Sequence, residues 1–274
     1  MVHNRIGFIV EQPDGDLAQT PYAAKPETTT PKKCVVRVYF AGRNMTLAYY
    51  NDEFDLHAGD MVYVDGQLEG QLGRVVDVNY NFKIRVSDYK RVIAVVDTDV
   101  HGQFFMAGSH FVTFDAAALP ANRAVLWFKA PAKAEDEFVS GNDDTAFRLD
   151  DLKSMQITAP VAERGNAYYA ENRVRYLSVD GTRGYAVVEG SSAYEVEFAF
   201  ADGEISRLVC SCFCGYNCKH ALAAMLQLKE TLTIIEKQYA AEYEQTGYFA
   251  AVHKGTLFQF AIDGKDTGRF VLQG

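Results

Sequence analysis

The chain has 274 residues, of which 48% are hydrophobic and 23% charged, and its formal net charge is −9. This composition is typical of a globular protein with a real core, and it excludes a disordered tail, a collagen-like repeat and a small disulfide scaffold. No stretch approaches the roughly 18 consecutive apolar residues of a membrane-spanning helix, and the negative charge opposes general attraction to nucleic acids, so nucleic-acid binding requires a local basic patch.

The first 33 residues are predicted to hold a short strand followed by a mobile arm. The apolar run at residues 6–10 is too short for the hydrophobic part of a secretory leader. Residues 12–33 are rich in Pro, Thr, Ala and Lys, which indicates a loop or arm. The sequence therefore predicts a cytoplasmic protein without a membrane segment.

Residues 34–158 are predicted to form a β-rich domain. Short β-branched and aromatic runs alternate with turn signals such as Asp65-Gly66, and this spacing favours a small barrel-like region or a curled sheet. The predicted strands lie at residues 34–40, 45–50, 61–64, 74–78, 83–96, 104–114 and 124–128. Near residues 135–151 the sequence is acidic; because no EF-hand spacing is present, we interpret it as a solvated linker rather than a cation site.

Residues 159–274 are predicted to form a second domain, and the fold class as a whole is α+β and β-rich. Four runs separated by turn signals predict an antiparallel meander, and the apolar stripe at residues 221–239 predicts one long helix. The meander strands are predicted at residues 172–179, 185–189, 194–200 and 205–209. Three further strands are predicted at residues 248–253, 257–262 and 269–272.

Four of the five cysteines lie between residues 210 and 218. In a cytosolic chain such clustering points to metal or redox chemistry rather than to disulfides. Cys210 and Cys212 reach the same side of a strand end, because residues i and i+2 of a strand face one way. Cys218 is predicted to precede the long helix, with His220 in its first turn. Three thiolates and one imidazole are a usual set for structural Zn²⁺, and Gly215 allows the chain to turn back between the pairs.

The C-x-C pair and the C-x-H pair resemble the SWIM zinc-finger family. Cys210-Ser211-Cys212 and Cys218-Lys219-His220 match its hallmark, and similarity to bacterial SWIM proteins extends upstream through Gly165, Tyr168, Arg173, Gly190 and Tyr194, covering about residues 160–230. The resemblance implies a ββα unit around zinc and binding to DNA or to proteins. Phe213 stands where the family usually has proline, and the loop between the pairs is short.

Two alternatives to this ligand set stay open. Cys214 is an additional thiol, and Cys212 with Cys214 forms a second C-x-C pair in which Cys214 replaces Cys210 as a ligand. The cluster also fits a redox-active site, although no thioredoxin-like βαβ pattern surrounds it. The favoured ligands are Cys210, Cys212, Cys218 and His220.

The sequence contains no catalytic motif among those with a known mechanism. It has no GxxxxGK[ST] loop, no GxGxxG after a strand, no HExxH and no GxSxG, and four protein ligands would close a zinc site to substrate. We therefore expect a protein that is not an enzyme and has no small-molecule substrate.

Two functions remain as hypotheses. The first is a nucleic-acid-binding accessory protein, with DNA or RNA as the partner and a basic surface near the finger. Its candidate residues are Arg164, Arg173, Arg175, Arg183, Arg207 and Lys219. The second is a protein–protein interaction adaptor in which the finger is purely structural. Phosphate contacts weaken steeply with salt and an apolar protein interface does not, so salt dependence discriminates between them.

Overall fold

The computed structural model describes residues 32–133, 136, 139–141, 145–214, 217–262 and 269–273. The predicted N-terminal strand and arm lie outside these residues except for positions 32 and 33, as do four carboxylates of the predicted acidic linker, Glu135, Glu137, Asp143 and Asp144. Contacts divide the described residues into two compact units, one of residues 32–97 with 129–131 and one of residues 98–128 with those from 132 onward. The partition into independently folding domains, with boundaries at 33 and 158, stays a prediction.

The first unit is an open five-stranded antiparallel sheet. Its strands are β1 (Cys34–Phe40), β2 (Met45–Asn51), β3 (Met61–Val64), β4 (Gly73–Asn79) and β5 (Val92–Val96), in the order β2-β1-β4-β3-β5. Along β1, Val36 and Val38 are buried while Arg37 is exposed, so one face supplies the core. One bridge joins Tyr50 to Arg91, but the described residues form no closed barrel, and the barrel-like prediction is not confirmed.

The second unit is built on a nine-stranded sheet. Its strands are β6 (His101–Ala107), β7 (His110–Thr113), β8 (Ala146–Arg148), β9 (Val174–Asp180), β10 (Arg183–Glu189), β11 (Ala193–Ala201), β12 (Glu204–Cys210), β13 (Tyr248–His253) and β14 (Arg269–Gln273). The order is β14-β6-β7-β13-β9-β10-β11-β12-β8, antiparallel except for the parallel pair β14–β6. The protein is therefore α+β and sheet-rich, and β9 to β12 form the predicted meander.

Five α-helices accompany the sheets in the described residues. They are α1 (Ala121–Ala124), α2 (Ala159–Ala170), α3 (Lys219–Gln238), α4 (Ala240–Thr246) and α5 (Lys254–Leu257). A 3-10 turn (Val125–Trp127) follows α1, and a π-helical turn (Phe258–Ile262) follows α5. The strands predicted at residues 124–128 and 257–262 are therefore wrong. None of the described helices combines the length and the apolar composition that crossing a membrane requires.

The long helix α3 covers one face of the nine-stranded sheet. Its buried Met225, Leu228 and Ile235 share one hydrophobic core with Val188 and Val196 of the meander. The other face is covered by the segment around α1, where the Tyr176 hydroxyl donates a hydrogen bond to the Leu119 carbonyl at 2.8 Å. Strand β9 is thus buried on both faces, whereas β11 and β12 bury mainly the face towards α3. The packing of α3 on that face fixes the end of β12 relative to the start of the helix.

Helix α2 crosses α3 at Gly165, where the two backbones approach closely. A Cβ atom at position 165 would lie 2.6 Å from Leu222 Cδ2. Glycine in a helix is normally less stable than alanine by up to about 1 kcal/mol. We predict the opposite sign here: Gly165→Ala lowers the free energy of unfolding by about 1–3 kcal/mol because it overpacks the helix crossing. Urea denaturation measures this, with Asn166→Ala on the exposed side of α2 as control; unchanged or increased stability of Gly165→Ala contradicts the prediction.

Candidate metal centre

The end of β12 and the start of α3 bring the cysteine pairs together. Cys210 is the last residue of β12 and lies opposite Val196 of β11. Cys218 is the N-cap of α3, and its Sγ accepts a hydrogen bond from the Ala221 N–H at 3.4 Å. His220 follows in the first turn of that helix. A strand end and a helix start thus present the two pairs to one point.

The distances among the four side chains fit a tetrahedral metal site. The ligand atoms of Cys210, Cys212, Cys218 and His220 all lie within 4.8 Å of one another. His220 Nδ1 is 3.8 Å from the Sγ atoms of both Cys210 and Cys218. With Zn–S near 2.3 Å and Zn–N near 2.0 Å, a tetrahedron has N···S edges of roughly 3.6 Å. The cluster therefore fits a bound metal, and zinc in particular.

The structure leaves Cys214 outside this cluster. Its side chain is exposed, whereas Cys210 and Cys212 are partly buried and Cys218 is buried. The backbone N–H of Cys214 instead donates a hydrogen bond to the Cys212 sulfur, which favours the thiolate form. The geometry therefore favours Cys210 over Cys214 as a ligand. Gly215, assigned to the turn between the pairs, lies outside the described residues.

Hydrogen bonds and burial shift the pKa values of the three clustered thiols. The hydrogen bond with the Cys210 thiol lowers the pKa of Cys218 despite its burial. The same hydrogen bond, with burial, raises the pKa of Cys210, and burial raises the pKa of Cys212 to about 11. The cluster therefore favours the thiolate form of Cys218, and a divalent cation would displace the protons of the neighbouring thiols.

Two tyrosines and a glycine enclose the His220 ring. Tyr194 of β11 stacks on it, with ring centroids 4.1 Å apart and planes 18° apart. Tyr168 of α2 meets it edge-on at 5.4 Å. Gly190, in the turn between β10 and β11, lies so close that a Cβ there would be 3.3 Å from His220 Nε2. Local sequence patterns assign no role to these three positions, which are marked in the sequence by their similarity to SWIM proteins.

Hydrogen bonds also attach the C-x-C pair to β11. Ser211, between Cys210 and Cys212, donates its N–H to the Glu195 carbonyl at 2.9 Å. Its hydroxyl accepts the Glu195 N–H, also at 2.9 Å. The backbone N–H and the side-chain hydroxyl of Ser211 are therefore both bonded to Glu195. These contacts hold the cysteines on either side of Ser211 in place, in addition to any bound metal.

Three of the predicted basic residues lie around Tyr168. The Lys219 ammonium lies 4.4 Å from the centre of the Tyr168 ring, and the Arg173 guanidinium carbon lies 4.8 Å from it. Arg164 is exposed one turn earlier on α2, which places it on the same face of the helix as Tyr168. Arg164, Tyr168, Arg173 and Lys219 are called the Tyr168 surface below.

The other three basic residues are placed differently. Arg175 forms an ion pair with Glu189, and its Nη1 atom is hydrogen-bonded to His253 Nδ1 at 3.2 Å. Its guanidinium is therefore largely occupied. Arg183 is at the opposite end of the β9–β10 pair, roughly 20 Å from Arg173 along the strand. Arg207 lies on β12, with β10 and β11 between it and β9. The structure therefore does not bring Arg183 and Arg207 to the Tyr168 surface.

Comparison with known proteins identifies one segment of the chain. The model of the SWIM zinc-finger family matches residues 196–229, which run from β11 through the metal cluster into α3. Neither a curated protein nor a solved structure matches the chain at a significant level.

Proposed function

Because the chain carries a SWIM zinc finger at residues 196–229, we propose that it is a nucleic-acid-binding accessory protein whose Tyr168 surface contacts phosphates. The observation that supports this best is the pair of cations, Lys219 and Arg173, on one aromatic ring. That ring lies against the candidate ligand His220, so the metal centre and the basic surface are one structural unit.

We propose that the ion is Zn²⁺ and that its role is structural. Cys210, Cys212, Cys218 and His220 would hold it, and four protein ligands leave no position for a substrate. When bound, the ion would cross-link the end of β12 to the start of α3. Clustered cysteines that bind a metal as thiolates suit a reducing compartment, and we propose the cytoplasm as the location.

The carboxylates near the Tyr168 surface do not neutralise it completely. Glu171 binds the Nε atom of Arg173, whose side chain is 37% exposed. A guanidinium has five N–H donors, so others on Arg173 remain for phosphate. Exposed ion pairs contribute only about 0–1 kcal/mol, and a phosphate therefore competes readily with Glu171. Because the net charge of −9 repels polyanions, the proposed binding depends on this local basic surface.

We predict that Lys219→Ala with Arg173→Ala weakens binding to fluorescent single-stranded DNA, duplex DNA or RNA at least tenfold. Two lost phosphate contacts also reduce the slope of log K against log salt, by about 0.9 per contact on duplex DNA or about 0.7 on single strands. Fluorescence anisotropy of the zinc-loaded protein across a salt series measures both quantities.

The matched control removes the same charges elsewhere. Lys237 is in the last turn of α3 and Arg183 is at the far end of the β9–β10 pair, so Lys237→Ala with Arg183→Ala should leave affinity and slope unchanged. Absence of binding by the wild-type protein at low salt, or equal losses for the two double variants, would refute the proposed surface.

An exposed aromatic residue favours a second candidate function, the protein interaction adaptor. Phe213, between Cys212 and Cys214, is fully exposed to solvent, and an apolar side chain on a metal-held loop is suited to a protein interface. A partner bound through Phe213 would be lost in Phe213→Ser and would tolerate high salt. Nucleic acid bound through the Tyr168 surface would be released by salt, so the salt series separates the two functions.

A further inference from the structure

Among the described residues, packing contacts rather than a hydrogen bond at Nε2 orient the outer edge of the His220 ring. We propose that His220 binds the metal through Nδ1, and that Gly190 and Tyr194 are the residues that position its ring. This role of Gly190 and Tyr194 rests on the proposed metal site and does not depend on whether the Tyr168 surface binds nucleic acid.

The identity of the ligating nitrogen follows from the distances. Nδ1 lies 3.8 Å from the sulfurs of Cys210 and Cys218, close to the N···S edge of a tetrahedral zinc site, roughly 3.6 Å. A neutral imidazole that binds metal through Nδ1 carries its proton on Nε2. The orientation therefore assigns an Nε2–H group to the side of the ring away from the cysteines.

That Nε2–H group has no acceptor among the residues that the structure describes. Its atom is buried, and the whole His220 residue is only 3% exposed. Metal-bound histidines almost always donate their second N–H to a carboxylate, a carbonyl or a water, which fixes the ring. At His220 some other contact must fix it.

Gly190 and Tyr194 make those contacts from one hairpin. Tyr194 covers a face of the ring at 4.1 Å, and its hydroxyl is hydrogen-bonded to Ser191 Oγ at 2.7 Å. Gly190 faces Nε2, and a Cβ there would lie 3.3 Å from Nε2 and 2.8 Å from Tyr194 Cε2. A side chain at position 190 would therefore push on both rings and turn Nδ1 away from the cysteines.

The test measures zinc affinity by competition with a chromophoric chelator, using the full chain. Second-layer changes typically cost 10–100-fold in metal affinity, and we expect Gly190→Ala and Tyr194→Leu to fall in that range. Tyr194→Phe keeps the stacked ring. Because it does not lose the contact with His220, its zinc affinity should stay within about twofold of wild type. Gly42→Ala, where a Cβ would meet nothing within 4 Å, is the matched glycine control.

Nitrogen NMR of the zinc-loaded protein provides a readout that general destabilisation does not move. The His220 ring should give the pattern of a metal-bound Nδ1 and a protonated Nε2, and Tyr194→Phe should preserve it. A metal-bound Nε2 overturns the proposal. It is also overturned if Gly190→Ala and Tyr194→Leu both retain wild-type affinity. If Gly190→Ala does not fold, the contrast between Tyr194→Leu and Tyr194→Phe decides.

Discussion

Replacement of Cys218 by serine is expected to abolish stoichiometric zinc binding and to open the region between β12 and α3. Cys218 is both a candidate ligand and the N-cap of α3, so the variant loses a thiolate and weakens the helix start. Structural zinc in finger peptides has an apparent binding free energy of roughly 10–16 kcal/mol. Here α3 also packs in the core of the nine-stranded sheet, so we expect partial opening rather than complete unfolding of the second unit.

The size of the effect can be bounded from mass action. A metal present at about 1,000 times its dissociation constant stabilises the folded state by roughly 4 kcal/mol. Cys218→Ser should therefore lower the free energy of unfolding by at least that amount in zinc-containing buffer. Limited trypsin digestion should cleave after Lys219 in the variant and in chelator-treated wild type. Added zinc should restore protection to the wild type alone.

Cys214→Ser is the matched control, since it makes the same chemical change at the exposed thiol outside the cluster. It should retain one equivalent of zinc and wild-type protection at Lys219. The first unit has its own core, formed by residues such as Val36, Val62 and Val75, and should be unaffected. Loss of zinc in Cys214→Ser but not in a Cys210→Ser variant would contradict the ligand set that the geometry favours.

The sequence predicts the metal centre because its information is local. C-x-C at a strand end and C-x-H at a helix start depend only on the two-residue period of a strand and on the position of the first helical turn. The choice between Cys210 and Cys214 is different, since both complete a C-x-C pair with Cys212. That choice depends on where β12 ends, and the pairing of Cys210 with Val196 is a contact between strands.

The environment of His220 is not predictable from local patterns. Gly190 and Tyr194 belong to the β10–β11 hairpin, and Tyr168 belongs to α2, so their contacts with His220 arise only when the sheet and both helices pack. The periodicity of α3 predicts its buried stripe but says nothing about which residues cover its first turn. Resemblance to a family marks such positions without giving a physical reason for them.

The meander is predictable because turn residues punctuate it. Gly181 and Gly203 have φ values of +58° and +78°, which glycine adopts at little cost, and both follow aspartates at strand ends. The sequence pattern does not predict α2, since Pro160 and Gly165 both count as helix breakers. Pro160 lies in the first turn, where its missing N–H costs nothing, and Gly165 is required by the crossing with α3.

Sequence periodicity does not predict the conformation of two short apolar runs. Residues 124–128 and 257–262 are short, apolar and aromatic, and such runs fit a buried strand or a helical turn equally well. In the folded chain Trp127 stacks on Phe260, with centroids 5.0 Å apart. The two segments form one helical layer against the sheet, and only that tertiary contact distinguishes the two conformations.

The second unit is expected to lose about 2 kcal/mol of stability between pH 7.5 and pH 5 because of one buried histidine. Burial lowers the pKa of His110 from 6.5 to about 4. Its Nε2–H donates to the Val174 carbonyl at 2.8 Å, and Nδ1 accepts from the Ser109 hydroxyl at 3.0 Å, so the neutral ring is satisfied. His253, Arg175 and Lys254 nearby all disfavour a second positive charge.

The sign follows from which state binds the proton first. Below pH 6.5 the unfolded chain takes up a proton at His110 while the folded chain does not, so stability is complete above that value and declines as pH falls towards 4. His110→Gln keeps a donor and an acceptor but cannot titrate. Although it is expected to be less stable at pH 7.5, its loss on acidification should be smaller than that of wild type by about 2 kcal/mol.

Urea denaturation of both proteins at pH 7.5 and pH 5 measures this difference, and subtraction removes the contributions of thiolates and carboxylates that the two share. His101→Gln, an exposed histidine in the same unit, should keep the wild-type response. Equal responses of wild type and His110→Gln would mean that His110 titrates alike in the folded and unfolded chains. In that case the hydrogen bonds of His110 to Val174 and Ser109 do not keep its imidazole neutral. The core around β7 and β9 would then have to accommodate a charged ring or a water molecule.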